Sequence, residues 1–427
     1  MGGRGNRSGG RGGVLLKPAR GRETRLTGPL SILTFTSLYP NAAQPAHGLF
    51  VETRLRHLVA TRPVRARVVA PVPRIPFWPA ALTPAAYRRA SLALGEEMRA
   101  GITVHHPRYP MIPGFARRQA RWMAAATLPL MRRLVAEEAV DLIDAHYLYP
   151  DAVAAVRIAH SLGLPVVLSA RGSDVNRILE IPGYRRQILS ALGAADHVIA
   201  VSEALRRRLL AEGLAPDRVT TICNGVDAER FRPIARDEAR CRLGLAEDGP
   251  LLLSVARLDR AKGQACLIEA LGSLPRARLL LVGAGPDRRR LVRLARRLGV
   301  GERVAFVGEV AHDRLPLFYS AADIFLHAAI REGCPNVILE AMACGLPVVA
   351  RAVGGVPEIL AEPVAGRLLA ADADPRTFAE AVRSLIASPA SPAAVRSRAM
   401  RFSWSEVSER LEEVFRQVRA KARAPAR

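Results

Sequence analysis

Two glutamates, Glu332 and Glu340, stand eight positions apart in the segment REGCPNVILEAMACGLPVVARAVGGVPEI, which covers residues 331–359. The pattern between them predicts a loop that turns into a helix, because Pro335 suits a first helical turn and Gly345 suits the position just past a helix end. Carboxylates at such a place can accept hydrogen bonds from hydroxyl groups of a ligand. The alternative is an exposed loop acid followed by an acid on the helix surface.

The start of this predicted helix is a second feature that could bind a ligand. Asn336 and Val337 would expose unpaired backbone N–H groups at the positive end of the helix dipole, which is a favourable position for a phosphate. After the helix, the run LPVVA predicts a short buried strand, and Gly354 and Gly355 open a loop that a ligand can approach closely. The segment therefore predicts a site at a strand edge for a ligand with both negative charge and hydroxyl groups.

A pair of cations follows another predicted strand. The stretch SVARLDRAKG, residues 254–263, ends that strand and opens a helix, and it contains Arg257 and Lys262. The only other lysines are Lys17 and Lys421, both in the tails of a chain that otherwise uses arginine. A solvated surface pair is the alternative for two basic residues, but the position after a strand and the rarity of lysine favour a binding role.

Together these elements resemble the motifs of the retaining glycosyltransferases of family 4, which have the GT-B fold. E-x7-E followed by EAMACGLPVVA and GGVPE is similar to the C-terminal motif of that family, and SVARLDRAKG is similar to its GRLxxxKG element with Ala256 in place of the usual glycine. The resemblance implies that Arg257 and Lys262 bind the diphosphate of a nucleotide-sugar donor and stabilise its departing charge without a metal. It also implies that Glu332 contacts hydroxyls of the transferred sugar and that Glu340 holds the ribose, with Glu332, Arg257 and Lys262 as the catalytic set.

The same resemblance extends the predicted donor site into both halves of the chain. The predicted donor-binding residues are Gly48, Arg171, Asn224, Gly283, Gly285, Cys334, Pro335, Asn336, Val337 and Glu340. Gly48 resembles the glycine of the loop after the first strand, and Asn224 opens the element NGVD. An ordinary turn is the alternative for both the Asn-Gly and the GxG sequences. No metal and no cofactor are expected, since the nucleotide sugar is a substrate.

One position departs from the family pattern. In LSARGSDVN, Arg171 stands where many members have a histidine that contacts the donor sugar. An arginine cannot accept a hydrogen bond or act as a base, so it could only donate to the sugar or to a phosphate. His146 is a candidate substitute for sugar or acceptor contact, although a lone histidine after an apolar strand is more often structural. Asp174 is a candidate for orienting the loop or contacting the acceptor, with helix capping as the alternative.

Strand-like and helix-like patterns alternate along the chain, which predicts parallel sheets covered by helices. The pattern restarts near Pro250, so the expected fold class is α/β of the GT-B type, with two Rossmann-like domains facing each other across a cleft. The predicted parts are a disordered Gly/Arg-rich leader at 1–28, an N-terminal acceptor-binding domain at 29–215 and a C-terminal nucleotide-sugar-binding domain at 216–400. By resemblance, a final helix at 401–420 crosses back to the first domain.

Composition limits the remaining possibilities. A chain of 427 residues with 49% hydrophobic content can form two cores, and a formal net charge of +24 points to an anionic partner. Five cysteines without a CxxC pair predict reduced, mostly buried thiols, with neither a zinc site nor a disulfide framework. The apolar run at 122–131 is too short to span a bilayer and no signal-peptide pattern is present, so a cytoplasmic protein is expected.

Two further partners are hypotheses of different weight. The segment FARRQARWMAAATLPLMRRLV predicts a partly amphipathic helix with several arginines, on which Met123, Leu130 and Leu134 share a face. Peripheral contact with an anionic membrane, on the inner face of the plasma membrane, is therefore a hypothesis. The Gly/Arg-rich leader could bind RNA, but a disordered leader or a misassigned start codon is favoured, and no specific nucleic acid is expected.

The sequence as a whole predicts a retaining glycosyltransferase. It would move a sugar from a nucleotide-diphosphate donor to a hydroxyl of a glycan or lipid-linked acceptor, in cell-envelope polysaccharide or glycolipid synthesis. Two alternatives stay open: another GT-B enzyme, such as a nucleotide-sugar 2-epimerase, and a catalytically silent homologue that only binds nucleotide or glycan. The 2-epimerases lack the combined Arg-Lys pair and E-x7-E spacing, whereas Arg171 gives the silent homologue some weight.

Overall fold

Short apolar runs form the strands of two parallel sheets, one in each domain. The computed structural model describes residues 28–76, 84–245 and 249–424. In the second domain all five side chains of the strand Leu251–Val255 are buried, and the same holds for the first-domain strand Val166–Ala170. Strands that are apolar throughout are typical of parallel sheets, because helices cover both faces.

The first domain contains an eight-stranded sheet. The domain has ten described strands, eight in this sheet and two in a separate pair. They are β1 (Leu30–Phe35), β2 (Val64–Val69), β3 (Val72–Arg74), β4 (Glu96–Arg99), β5 (Ile102–His105), β6 (Arg108–Pro110), β7 (Leu142–His146), β8 (Val166–Ala170), β9 (His197–Ala200) and β10 (Val219–Thr221). The order is β10-β9-β8-β7-β1-β2-β5-β4, with β3 and β6 forming the separate pair. Only β4 runs antiparallel to its neighbour in the described sheet.

Six α-helices belong to this domain within the described residues. They are α1 (Leu49–Thr61), α2 (Ala85–Ala90), α3 (Gln119–Glu137), α4 (Val153–Leu162), α5 (Pro182–Ala194) and α6 (Glu203–Ala211). The buried face of α4 carries Val153, Ile158 and several alanines, so this helix packs closely on the strands.

The second domain is a six-stranded parallel sheet with helices on both faces. The strands are β11 (Leu251–Val255), β12 (Arg278–Val282), β13 (Val304–Gly308), β14 (Ile324–His327), β15 (Val348–Arg351) and β16 (Gly366–Leu369), in the order β13-β12-β11-β14-β15-β16. The helices are α7 (Arg236–Leu243), α8 (Gln264–Leu271), α9 (Arg288–Arg297), α10 (Leu315–Ala321), α11 (Asn336–Ala343), α12 (Val356–Ile359), α13 (Pro375–Ala387) and α14 (Pro392–Met400). The predicted α/β architecture with two parallel-sheet domains is confirmed.

The last helix, α15 (Trp404–Arg423), returns to the first domain. Its buried residues Trp404, Leu411 and Phe415 pack in the same cluster as Val51 and Leu55 of α1. At the crossing point the backbone N–H of Val226 donates to the carbonyl of Phe402 at 2.8 Å. The chain therefore passes between the domains twice, and the two passages pair with each other. The first passage, residues 222–226 after β10, is called the crossing segment below. The predicted return helix is confirmed.

Some sequence-based expectations need correction or fall outside this description. The first sheet includes β10, so the first domain extends to Thr221, past the boundary expected at 215. Of the leader predicted at 1–28, residues 1–27 lie outside the described residues. Among the described helices, none is both long and apolar enough to cross a membrane.

The expectation of reduced, unpaired cysteines is wrong for two of the five. Cys223 and Cys334 form a disulfide with their Cα atoms 6.2 Å apart and a sequence separation of 111 positions. Of the other cysteines, Cys344 is buried while Cys241 is exposed. A pair so distant in the chain forms only because the fold brings its members together, which spacing along the sequence does not reveal.

Candidate active site

The carboxyl ends of the two sheets meet at the cleft between the domains, where ligands of parallel α/β sheets bind. Arg171 follows β8 of the first domain, whereas Arg257 follows β11 and Glu332 follows β14 of the second. All three line one cavity of about 370 Å³, called the basic cavity below. Its lining is Phe50, Arg171, Asn224, Val255, Ala256, Arg257, Lys262, His327, Glu332, Gly333, Cys334, Pro335, Asn336 and Val337.

A second cavity of about 270 Å³ adjoins the first and is called the Glu340 cavity below. The two cavities share Phe50, Asn336 and Val337. Gly48 and Glu340 line the Glu340 cavity, so the sequence-predicted residues divide between two connected compartments.

The amino end of α11 lies where these compartments join. The helix begins at Asn336, directly after Pro335 in an extended conformation, so proline occupies the N-cap position and not the first turn. The first N–H groups of a helix have no partner within it, and the helix dipole makes this end positive. Backbone donors at Asn336 and Val337 therefore face a space that both domains enclose.

Lys262 and Glu332 come together in the basic cavity. The Lys262 ammonium lies 2.5 Å from Glu332 Oε1, and the two side chains are 28% and 11% exposed. His327 Nε2, at the end of β14, lies 3.1 Å from the same oxygen. Burial would raise the pKa of the Glu332 carboxyl, but contact with His327 and the charge of Lys262 outweigh it and lower this pKa to about 2. Glu332 is therefore a carboxylate at any physiological pH.

Arg257 is the least constrained cation of the basic cavity. Its side chain is 70% exposed, and its guanidinium lies 3.8 Å from the Asp259 carboxylate. The adjacent turn fixes the backbone here, because the Asp259 side chain accepts from the Ala261 N–H at 3.0 Å. Arg257 and Lys262 therefore lie on one short turn, one side chain free to move and the other held by Glu332.

Glu340 is held differently from Glu332. It is buried on α11, where its carboxylate accepts from the Tyr319 hydroxyl at 2.9 Å and lies 3.0 Å from His312 Nε2. Arg230 lies 3.1 Å from the other ring nitrogen of His312. Because an arginine only donates, His312 Nδ1 accepts and Nε2 donates to Glu340. The ribose contact expected for Glu340 remains a prediction. A ribose there would meet a carboxylate that Tyr319 and His312 already hold in place.

Arg171 is supported from behind by buried charges of the first domain. Its guanidinium donates to Asn224 Oδ1 at 3.1 Å and to His146 Nδ1, and it lies over the Phe50 ring at 5.3 Å. His146 Nε2 contacts Asp144 Oδ2 at 2.9 Å. Burial lowers the pKa of His146 to about 3 despite the Asp144 charge. Both hydrogen-bond partners of the Arg171 side chain are therefore neutral, whereas burial and the nearby Arg54 charge lower the pKa of its guanidinium.

His146 and Asp174 do not reach the cavities. His146 is 1% exposed and lies behind Arg171, so direct contact with a sugar, one of its predicted roles, does not occur in this arrangement. Asp174 is fully buried, and its carboxylate accepts backbone N–H groups from Leu148, Arg171 and Gly172 at 2.7 to 3.1 Å. These hydrogen bonds hold the loop after β8 in place, and the acceptor contact considered for Asp174 remains a prediction.

Gly48 and Asn224 close the site from the first domain and from the crossing segment. Gly48 has a φ of +69°, and a side chain there would overlap the carbonyl of Leu38, so the turn before α1 needs glycine. Asn224, just before Gly225, is buried and donates to Asn336 Oδ1 at 2.8 Å. The Asn-Gly turn therefore also links the crossing segment to α11.

Gly283 and Gly285 have a different place from the one expected. Neither lines the basic cavity or the Glu340 cavity. A side chain at Gly283 would overlap the carbonyl of Ala256, and one at Gly285 that of Leu258. These glycines therefore let their turn pack against the loop that carries Arg257, and donor contact by them remains a prediction.

Several residues of the site were missed by the sequence analysis. His327 contacts Glu332, and His312 and Tyr319 hold Glu340. His327 had a usable signal, since it is a polar residue at the end of an apolar strand five positions before Glu332. Nothing in the sequence near His312 or Tyr319 indicates that they converge on one carboxylate.

Comparison with known proteins identifies the family of this chain. The model of the family "Glycosyltransferase Family 4" matches residues 51–230, and that of "Glycosyl transferases group 1" matches residues 235–402. The chain is similar to D-inositol 3-phosphate glycosyltransferase 1 of Catenulispora acidiphila, with 36% identity over 65% of this chain and 72% of the relative. It is also similar to TuaC of Bacillus subtilis, named for a glycosyltransferase role in teichuronic acid biosynthesis, with 32% identity over 77% of this chain and 83% of the relative.

A solved structure extends the similarity in fold. Sucrose-phosphate synthase from Thermosynechococcus elongatus superposes with a TM-score of 0.73 at 22% identity, covering 92% of this chain and all of the other. At that identity the likeness concerns the fold alone. The chain therefore belongs to glycosyltransferase family 4 and is a glycosyltransferase with the GT-B fold.

Proposed function

We propose that this glycosyltransferase transfers a sugar from a nucleoside-diphosphate donor to a hydroxyl group, with retention of the anomeric configuration. The observation that carries the proposal is the convergence of Arg257, Lys262, Glu332 and the amino end of α11 on one cavity between the domains. Two cations and a helix terminus suit a diphosphate. A buried, ionised carboxylate beside them suits the hydroxyls of a sugar.

The Lys262–Glu332 ion pair must separate during the reaction, so that each side chain can contact its own part of the donor. As the glycosidic bond to phosphate breaks, negative charge develops on the leaving diphosphate, and cations beside it stabilise that charge. Lys262 must then turn from Glu332 to the phosphate, which leaves Glu332 in contact with His327 and free to accept from the sugar. The leaving phosphate assists attack of the acceptor hydroxyl on the same face, which retains the configuration.

No metal enters this proposal. Among the residues that the structure describes, no group of three or more His, Cys, Asp or Glu side chains is arranged to hold a metal ion. Metal independence is tested by turnover in excess EDTA, with added Mg²⁺ as the comparison. Unchanged turnover supports the assignment of the leaving-group charge to Arg257, Lys262 and α11, and loss of turnover contradicts it.

The proposed acceptor belongs to the cell envelope. Two relatives are named for D-inositol 3-phosphate and for teichuronic acid biosynthesis, and both of these compounds are polyhydroxylated and anionic. Arg171 gives the first-domain wall of the cleft a cation facing the basic cavity. An acceptor sugar or polyol in cell-envelope polysaccharide or glycolipid synthesis fits that wall.

The function is tested by a donor screen followed by product analysis. UDP-, GDP- and ADP-sugars are compared by thermal shift, because a ligand that binds only the folded state raises its stability. The donor that shifts most is then incubated with polyol and glycan acceptors, and the anomeric proton of the product is examined by NMR. An α product from an α-linked donor supports retention. Tight donor binding without transfer or hydrolysis would favour the silent homologue.

Contact with an anionic membrane is proposed for a narrower surface than the sequence indicated. Met123 and Leu134 of α3 are fully buried, so the apolar face of that helix belongs to the core. What remains outside is Phe115, 50% exposed, with the Arg118 guanidinium 5.7 Å from its ring centre and the exposed Arg121 nearby in sequence. An exposed ring among arginines suits the interface of an anionic bilayer.

Vesicle sedimentation tests this surface. We expect the protein to sediment with phosphatidylglycerol vesicles at low salt and to stay in solution with phosphatidylcholine vesicles. The double variant Phe115→Ser, Arg118→Glu should sediment less, and Arg376→Glu, on the exposed start of α13, serves as the charge-matched control. Equal sedimentation of both variants would remove the proposal.

A further inference from the structure

The Cys223–Cys334 disulfide lies at the joint between the two domains. Cys223 lies two residues after the end of β10, the last strand of the first sheet in sequence, and precedes Asn224 in the crossing segment. Cys334 lies two residues after Glu332 and two before the start of α11. The bond therefore ties the crossing segment to the loop that carries Glu332 and leads to the phosphate-facing helix end.

Other contacts bring the domains together at the same place. Gly172 of the first domain and Gly333 of the second touch backbone to backbone, and a side chain at either position would overlap the other segment. The Asn176 side chain donates to the carbonyl of Glu332 at 3.0 Å. The Cys334 side chain packs against the hydrophobic cores of both domains. Hydrogen bonds and packing at such a joint break and re-form during domain motion, whereas a disulfide does not.

Both sulfur atoms belong to residues that are only partly buried, and Cys334 lines the basic cavity. A small thiol or disulfide can therefore approach the bond through the cleft. Since the donor is proposed to occupy the same cavity, the state of the bond and the occupancy of the site should influence each other.

We propose that Cys223 and Cys334 are a reversible modification site at which thiol oxidation slows the enzyme. The co-reactant is a small-molecule disulfide. One cysteine thiolate attacks it and displaces one small thiol, and the second cysteine thiolate attacks the mixed disulfide and displaces the other. Two protein thiols and one small disulfide thus become one protein disulfide and two small thiols, with two electrons passing to the small molecule.

The effect on turnover follows from what the bond holds. A donor must enter between the domains, and opening and closing of such clefts often limits turnover. With the disulfide formed, the Glu332 loop is fixed to the crossing segment at the observed close approach, so donor entry and nucleotide release are slower. Reduction leaves only the non-covalent contacts, which permit opening. The inference rests on the proposed function in that the donor passes through this cleft.

The test compares reduced and oxidised full-length protein. The enzyme is treated with dithiothreitol or with glutathione disulfide, and mass spectrometry of peptides confirms the state of the Cys223–Cys334 bond. We expect kcat of the oxidised form to be lower by about tenfold or more and to return on reduction. Cys223→Ser should match the reduced wild type and be insensitive to oxidation. The matched control Cys241→Ser changes an exposed, unpaired cysteine and should keep the full redox response.

Each outcome decides the question. Equal kcat in verified oxidised and reduced protein, or failure of glutathione disulfide to form the bond in the folded enzyme, overturns the proposal and leaves the glycosyl transfer intact. If Cys223→Ser folds poorly, as a lowered Tm would show, Cys223→Ala replaces it.

If the reduced enzyme transfers no sugar, the proposed function fails, and small-angle scattering decides the redox proposal. A larger radius of gyration after reduction supports it, and an unchanged radius overturns it.

Discussion

The two walls of the cleft hold their charges in opposite ways. On the second-domain wall Arg257 and Lys262 keep 70% and 28% of their side chains exposed, and Lys262 is paired with a carboxylate that also faces the cavity. On the first-domain wall one guanidinium, that of Arg171, reaches the cavity. His146 and Asp144 behind it are almost wholly buried. The second wall can exchange its ion pair for contacts with a ligand, whereas the first wall uses its charges to fix one side chain.

This contrast predicts different effects for substitutions on the two walls. Changes on the second wall should reduce turnover and leave the fold intact. Changes behind the first wall should destabilise the protein and reduce turnover less. The predictions below test that separation, from the largest expected effect on turnover to the smallest.

Lys262→Ala should have the largest effect. The variant lacks a cation beside the negative charge that develops on the leaving diphosphate, so kcat is expected to fall by about 10² to 10³-fold. The protein should still fold, with a melting temperature close to that of the wild type. Lys421→Ala, on the exposed face of α15, is the matched control and should retain full activity. Comparable activity of the two variants would show that Lys262 is only part of a surface ion pair.

Glu332→Gln should follow. The amide keeps the shape of the side chain but loses the charge that orients Lys262 and accepts from the sugar, so kcat should fall by about 10²-fold. Steady-state kinetics with saturating donor measures this. Glu380→Gln, an exposed acid on α13 paired with Arg376, should be neutral. Wild-type kcat in Glu332→Gln would remove this residue from the catalytic set.

Arg171→Ala tests the single cation that the first wall offers. The donor or acceptor would lose one charged hydrogen-bond donor, so KM should rise by about tenfold with a smaller change in kcat. Arg171→Lys keeps the charge but not the two-point geometry and should recover only part of the loss. If kcat falls as steeply as in Lys262→Ala, the contrast between the walls is wrong.

Asp144→Asn tests the support behind Arg171. Asp144 contacts His146 at 2.9 Å and lies 3.8 Å from the buried Arg54. Burial would raise the pKa of this carboxyl, but His146 and Arg54 hold it at about 2. Removing one partner of a buried charge pair costs about 3 kcal/mol of folding stability, which a denaturant titration would show. Turnover at a temperature where the variant is folded should change less than in Glu332→Gln.

The smallest effect concerns pH and stability. The pKa of His146 is about 3 in the folded protein and about 6.5 in an unfolded chain, so the unfolded state binds more protons between these values. The stabilisation from neutral His146 is therefore present above about pH 6.5 and is lost as pH falls from there towards 3. The unfolding free energy of His146→Gln should depend less on pH below 6.5 than that of the wild type. His160→Gln, on the exposed side of α4, should keep the wild-type slope.

The same contrast explains what the sequence could predict. The second wall lies in two short continuous segments, 254–263 and 331–345, whose residue order reveals strand end, turn and helix start together. Alternation of apolar strands and amphipathic helices likewise predicted both parallel sheets. These are local patterns, and local patterns are what a single sequence contains.

Features that join distant segments could not be predicted in this way. Arg54 of α1 and Asp144 of β7 meet only in the folded protein, and Cys223 meets Cys334 across 111 positions. The apolar face of α3 was considered for membrane contact, yet Met123 lies in the core, because amphipathicity alone does not say what covers an apolar face. The sequence likewise did not show that His146 is buried, because the burial of a residue depends on the whole fold.

A crystal structure of the reduced enzyme with an intact nucleoside-diphosphate sugar tests the central claim most directly. We predict the diphosphate in the basic cavity, within hydrogen-bond distance of Lys262 Nζ, the Arg257 guanidinium and the backbone N–H groups of Asn336 and Val337, with Glu332 on the sugar. A larger cavity of about 590 Å³ at the amino ends of β11, β14 and β15, lined by Arg236, Arg240 and Asp323, offers a clear contrast. A diphosphate bound there, or anywhere away from Lys262, would contradict the account.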